Sequence, residues 1–225
     1  MARDPQQLQL DLEHAFAELD GKITSNGDDR EYDAELLRSA WIREQYVDDI
    51  LPYEEDLIER ILARVQTQLQ YLELHSAMEE ANKLQLVILE TELERIQFLL
   101  RSYIRLRLLK IDRYAIYIQT EPVVLQNLSQ TEAEYMKKHL ELLSELLHDS
   151  CLSKLPPSLR SLSEPEMVTR PDMTKPVFLM CKSDTAVDIG GEGEDSILEM
   201  KVGEVYVIRY QYIRHLLERD DVVIV

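Results

Sequence analysis

The sequence predicts an α+β protein: an N-terminal all-helical bundle with one long helix, followed by a small, mostly β domain at the C-terminus. Three observations carry that reading. Between Leu84 and Ile111, apolar residues fall at Leu86, Leu89, Leu93, Ile96, Leu100, Tyr103 and Ile104, a three-and-four spacing that lays one stripe along an α-helix, and no Gly or Pro interrupts it. Shorter stretches with the same period flank it on both sides, between about residues 33 and 157. Beyond Pro176 the pattern changes to short runs rich in Val, Ile and Tyr, split by turn signals.

Taken in order, residues 1–20 form a unit of their own. Leu8, Leu12, Phe16 and Leu19 recur at helical spacing and Gly21 follows as a stop, which predicts a short acidic amphipathic helix. Residues 21–32 are polar, hold two glycines and have no period, so they read as a flexible tether. A tethered helix with one apolar face suits docking into a groove; folding back on its own domain is the plainer alternative.

The bundle, residues 33–157, is expected to open at Asp33 as an N-cap, with Leu36, Leu37, Ala40 and Trp41 on the buried side of the first helix. Pro52 breaks the chain, and a second helix carries Leu57, Ile58, Ile61, Leu62, Val65, Leu69 and Leu72. The long helix runs from about Asn82 through Tyr114 and Ile118 and stops before Pro122. Ser129 and Glu132 have the capping-box spacing that opens a fourth helix, expected to bury Leu140, Leu143, Leu146 and Leu147 and to end at Pro156 and Pro157. Residues 158–175, with Pro165 and Pro171 among Ser, Glu and Arg, read as a linker. In residues 176–225 the runs VFLMCK, AVDI, ILEMKV, EVYVIRY and DVVIV predict strands, with a helix of one to two turns near Tyr212 to Leu217 before the last. A β unit this small is marginal alone and is expected to lean on a neighbour.

The long helix segregates its charges: Glu90, Glu92 and Glu94 come first, and Arg101, Arg105, Arg107, Lys110 and Arg113 last, the order the helix dipole favours. Arg107 falls on the apolar stripe itself. Either its stem snorkels over the core and its head reaches water, or Arg101, Arg105 and Arg107 meet carboxylates of a partner chain.

Composition narrows the function classes. A net charge of −18 argues against a broad nucleic-acid footprint, so direct DNA contact is not expected to dominate. No run is long and apolar enough to span a bilayer, and the N-terminus lacks the basic and apolar regions of a secretory signal, which points to an intracellular protein with no membrane partner. Cys151 and Cys181 read as isolated buried thiols. The glycines of GGEGED are followed by no Lys-Ser or Lys-Thr, so this is an acidic hairpin tip and no phosphate loop. The five histidines include no pair at metal-ligand spacing, and no nucleophile motif is present. No catalytic residue, metal site or cofactor is expected. An interaction protein remains: a subunit of a stable assembly, or a generic helical adaptor or nucleic-acid-binding bundle using Arg101 to Arg113.

The run ELERIQFLLRSYIRLRLLKI, from Glu92 to Ile111, resembles the signature helix of the GINS complex subunits. AELLRSAWIREQY, LSQTEAEYMKKHL, LPPSL, RPDMTKPVFLMC and the ending VIRYQYIRHLLERDDVVIV agree with it, and the order of helical domain then β domain is similar to the SLD-five type. The resemblance runs from about Glu35 to Val225. It implies a non-catalytic, nuclear subunit of a heterotetramer with three other GINS subunits, which joins the MCM motor ring and the cell-division-cycle accessory protein in the replicative helicase. It also implies inter-subunit contacts at Arg95, Arg101, Tyr103, Arg105 and Arg107 on the long helix. In the β domain it implies assembly contacts at Val205, Tyr206, Ile208, Val222, Val223, Ile224 and Val225. DLEHAFAELD, from Asp11 to Asp20, is similar to the peptide by which fungal relatives dock on the trimeric replisome adaptor, with Leu12, Phe16 and Leu19 as anchors. It departs from such peptides at His14, Ala15 and Phe16.

Overall fold

The computed structural model describes residues 27–75, 83–156, 168–190 and 197–225, and its architecture is the α+β arrangement of a helical bundle followed by a small domain of strands. The docking peptide at 1–20, with Leu12, Phe16 and Leu19, and most of the GGEGED tip lie outside the described residues.

Helix α1 spans Gly27–Tyr46, so the chain is already helical within the stretch read as a tether. Asp33 is therefore no N-cap. It is buried inside α1, where its carboxylate takes Arg64 at 2.7 Å and Arg60 at 3.0 Å from the facing helix α2, Glu55–His75. Two basic partners outweigh the local capping preference of an Asp. Helix α3 covers Lys83–Thr120, 38 residues and about 57 Å at 1.5 Å per residue, with a non-helical turn at Tyr114. The short helix α4, Pro122–Leu125, has Pro at its start, where a missing N–H costs nothing. Helix α5, Gln130–Ser150, opens with the complete capping box: Ser129 Oγ accepts from the Glu132 N–H, and Glu132 accepts from the Ser129 N–H.

The stripe expected on α3 does face the core, where Leu93, Leu100 and Tyr103 pack with Leu37 and Ala40 of α1 and Leu57, Ile58, Ile61 and Val65 of α2. Farther along, Ile111, Tyr114, Ala115 and Ile118 form a second cluster with Ile50, Val124 and Met136. Helix α5 differs from expectation. It buries Glu132 and Met136 near its start, Leu140, Leu143 and Leu147 are only half covered, and Leu146 is 64% exposed. Among the described residues, the far half of α5 stays largely exposed.

In the C-terminal domain, β1 (Pro176–Cys181) is the central strand, flanked antiparallel by β4 (Val205–Arg209) and β5 (Val222–Ile224). β2 (Thr185–Asp188) and β3 (Ile197–Met200) form a separate ribbon, and α6 (Tyr210–Glu218) packs on the inner side. The domain does lean on its neighbour: Val47, at the end of α1, is 1% exposed within the β-domain core, and Ile42 and Leu51 pack beside it. The last residues of the stretch read as a linker belong to this seam. The Asp172 N–H and Lys175 Nζ both reach the Asp48 carboxylate, and the Tyr114 hydroxyl donates to it at 3.2 Å. Of the two cysteines, Cys181 is buried as expected, whereas Cys151 is exposed at the end of α5.

Candidate subunit interface

The charged residue on the apolar stripe organises the inside of the bundle. Arg107 is fully buried, so neither water nor a partner chain takes its head. Its Nε and Nη2 fork onto both oxygens of Glu132 at 2.8 and 2.9 Å, and Nη1 meets Glu44 at 3.3 Å. The same guanidinium donates to the backbone carbonyls of Leu51 at 2.7 Å and Asn127 at 2.9 Å, and lies over the rings of Tyr53 and Tyr103. Lys110 completes the network on Glu44 and the Asp49 carbonyl, both at 2.8 Å. Burial pushes both cations toward the neutral form. For Lys110 that effect wins, whereas for Arg107 the Glu132 bonds and the Glu44 charge outweigh it and hold the guanidinium charged. Burial likewise pushes the Tyr103 phenol well above its ordinary range.

Arg107 and Tyr103 are therefore buried within this chain's own core. The same holds for Ile208, Val222 and Ile224, which are buried within the β domain, and Tyr206 packs half-buried against that core. With Arg107 and Lys110 turned inward, the basic end of α3 keeps only Arg101, Arg105 and Arg113 on the outside. That shrinks a nucleic-acid footprint further.

Among the exposed apolar residues, two groups form continuous surfaces. On α3, Leu84, Ile88, Thr91, Arg95, Phe98, Ser102, Arg105 and Leu109 alternate at four-and-three spacing, a second stripe opposite the first, with Leu84, Phe98 and Leu109 each more than half exposed. A 3.5-residue period sustained this far is the seam along which another helix can lie. Arg95 and Arg105 sit on it without an ion pair among the described residues, whereas Arg101 turns back onto the Gln97 side chain and carbonyl. Tyr135 of α5 bonds Asp112, the next residue along the seam, at 2.9 Å, and Leu142 and Leu146 continue an exposed stripe from it.

The second surface is the outer face of the sheet. Val205 stands opposite Met180 and Val207 opposite Phe178, Val223 lies on the other side of Met180, and Val225 binds Phe178 through the backbone. Phe178, Val205, Val207 and Val225 are each more than half exposed. Of the expected residues, Val205, Val223 and Val225 belong here. Phe178, Met180 and Val207 were missed, although the alternation eBeBeB along β1 is written in PVFLMC, where both faces are apolar.

Between the two domains lies a cavity of about 250 Å³, with Arg43, Glu44, Asp49, Glu54 and Arg214 on its wall. Its carboxylates are engaged by cations of the same wall or core: Glu54 by Arg43, Glu44 by Lys110 and Arg107, Asp49 by Arg214. The arrangement is charge-balanced and brings together no nucleophile and base. Among the described residues no cluster of ligating side chains could hold a metal ion, and no helix is long and apolar enough to cross a membrane.

Two family models match the chain. The GINS complex protein helical bundle domain covers residues 52–150, and the C-terminal domain of the DNA replication complex GINS protein SLD5 covers residues 171–225. The chain is 38% identical over 205 residues to the DNA replication complex GINS protein SLD5 of Yarrowia lipolytica, covering 88% of this chain and 78% of the relative. It is 34% identical over 192 residues to the sld5 protein of Schizosaccharomyces pombe, covering 83% and 89%, and 29% identical to that of Chaetomium globosum, covering 93% and 97%. The two matched domains meet this bundle and this strand domain in the same order, and the chain belongs to the SLD5 family of DNA replication complex GINS proteins.

Proposed function

We propose that this chain is a non-catalytic structural subunit of a heterotetrameric GINS complex in the nucleus, built with three other GINS subunits. In that role it helps to join the MCM motor ring and the cell-division-cycle accessory protein into the replicative DNA helicase, during initiation and elongation of DNA replication. The observation that carries the reading is the outer stripe of α3. A long helix whose inner stripe from Leu93 onward packs in its own core, and whose second stripe carries exposed Ile88, Phe98 and Leu109 interleaved with Arg95 and Arg105, which form no ion pair among the described residues, has the pattern of a subunit seam. Arg95, Arg101 and Arg105 are the contacts assigned to helices of neighbouring subunits, and Val205, Val223 and Val225 the contacts assigned in the β domain.

Native mass spectrometry after co-expression with the three other GINS subunits tests it. A 1:1:1:1 complex that survives high salt is expected, because a largely apolar interface above about 2,000 Å² resists salt whereas phosphate contacts do not. A folded monomer that ignores those subunits would sink the reading.

The segment DLEHAFAELD supports a second contact, docking on the trimeric replisome adaptor through Leu12, Phe16 and Leu19. Phe16→Ala is expected to abolish adaptor binding in a titration while the tetramer stays intact; unchanged affinity removes this part.

A further inference from the structure

The two domains keep separate cores and meet at a thin seam. Of the thirteen described residues buried in the β-domain core, Val47 is the only one from the bundle, and the two bundle clusters hold no described residue of the β domain. Around that apolar plug the seam is polar and incompletely filled. Asp48 faces Lys175 at 3.5 Å, Asp49 faces Arg214 at 3.7 Å, and Asp49 and Arg214 also line the cavity of about 250 Å³. On its wall the Nε–H of Arg43 is buried and has no acceptor among the described residues. A buried donor left unmet weakens the closed arrangement, and water supplies its acceptor once the seam opens. A polar contact between units with their own cores opens before either unit unfolds.

We infer that the β domain swings off the bundle as an intact unit, and that Asp48 is the latch. Three segments meet on its carboxylate. Oδ2 accepts from the Asp172 N–H at 3.4 Å and from the Tyr114 hydroxyl at 3.2 Å, and Oδ1 takes Lys175 Nζ. Asp172 and Lys175 enter the β domain, whereas Tyr114 belongs to α3. That tyrosine is also where α3 leaves helical geometry, at φ −112° and ψ 16°, although the helix contains no Gly or Pro to bend it. The break falls on the residue whose buried ring carries its hydroxyl to the latch. Opening strips Asp48 of Asp172 and Lys175 and leaves the carboxylate to Tyr114 and water. One side chain thereby links the docking of the β domain to the course of the long helix. On the subunit reading above, these two elements bear the contact surfaces, so the opening sets the angle between them; the opening itself does not depend on that reading.

Thiol labelling of the full chain tests this. In a Cys151→Ser background, Val47→Cys places one thiol in the seam, and Cys181, 2% exposed in the β-domain core, supplies the other. Each labelling rate with a chromogenic aromatic disulfide is divided by that of the same chain unfolded in urea. The thiol at position 47 is expected to label roughly tenfold faster than Cys181 or more, since undocking exposes the first and only unfolding of the domain exposes the second. Asp48→Asn should speed labelling at position 47 roughly tenfold, with a much smaller effect on Cys181. Tyr114→Phe and Lys175→Met should each speed it several-fold alone and far less on top of Asp48→Asn, because both act through that carboxylate. Equal rates for the two thiols, an Asp48→Asn effect that falls equally on both, or undiminished effects in the Asp48→Asn chain would overturn the inference. Where Val47→Cys unfolds the chain, Leu51→Cys, half-buried on the cavity wall, gives the same readout. None of these outcomes bears on assembly, so the subunit reading stands or falls separately.

Discussion

Arg107 provides the sharpest test of how the bundle is held. Replacing it with Met keeps much of the side-chain volume over the rings of Tyr53 and Tyr103 but removes five hydrogen bonds. The losses are unequal. Glu132 keeps the Ser129 N–H at 3.0 Å, Glu44 keeps Lys110 at 2.8 Å, and the Asn127 carbonyl keeps the Tyr53 N–H at 3.0 Å. The Leu51 carbonyl loses its 2.7 Å donor and the Glu132 carboxylate, 8% exposed, loses its counter-charge. Removing one partner of a buried pair costs about 3 to 5 kcal/mol, because the other charge is left buried without compensation. Against a total of roughly 5 to 15 kcal/mol, that is a large share of the stability of the fold.

Urea unfolding of the full chain, followed by the emission of Trp41 where it packs against the bundle core, measures this. Arg107→Met is expected to cost about 4 kcal/mol. Arg107→Lys should fall between it and the parent, since an ammonium keeps the charge but cannot fork onto Glu132. Combining Arg107→Met with Glu132→Gln should cost less than the sum of the two single changes by more than about 0.5 kcal/mol, because the stranded charge is gone. A loss below about 1 kcal/mol for Arg107→Met, or strict additivity in the cycle, would refute the claim that this pair organises the core.

The seam between the domains should respond to acid. Burial alone would raise the Asp48 carboxyl, but the Asp172 N–H, Lys175 and the Tyr114 hydroxyl outweigh it and hold the group below its ordinary 3.8. A carboxyl lowered in the folded state stabilises above 3.8 and loses that contribution as pH falls through its folded value. Asp48→Asn should therefore melt below the parent at about pH 6, with the gap closing toward about pH 2; a gap that persists in strong acid contradicts the assignment. Val47→Ala should cost about 2 kcal/mol through lost burial and raise amide exchange across β1 and β5 more than across α2, and equal change in both would show that Val47 does not hold the domains together.

Local rules and global arrangement were legible to different degrees, and the reason is physical. The capping box at Ser129 and Glu132, the helix stop before Pro122 and the strand runs after Pro176 depend on neighbours within a few residues, so the sequence displays them directly. Asp33 obeyed no such rule, because its partners Arg60 and Arg64 sit on another helix and pairing there outweighs the preference of Asp for helix starts. The interface residues divide along the same line. An apolar residue in a strand states that one face is covered without stating by what, and in β1, β4 and β5 both faces are apolar, so Ile208, Val222 and Ile224 could not be told from Val205, Val207 and Val223 until the register set them on opposite sides.

Arg107 shows the limit most clearly. Its place on the apolar stripe was visible, but a long cation there fits snorkelling, a partner's carboxylate or a buried pair equally well, and the choice depends on whether two acids converge on it from elsewhere in the chain. They arrive from 63 residues upstream, Glu44, and 25 downstream, Glu132, the second being also the residue that closes the capping box. One carboxylate thus fixes the start of α5 and the centre of α3 together, which ties a local feature the sequence announces to a long-range one it conceals. The consequence is that Glu132→Ala should do more harm than Ser129→Ala, whose loss is a cap of about 1 kcal/mol, because it removes both the pairing with Arg107 and the bond accepted from the Ser129 N–H; equal losses in urea unfolding would contradict this.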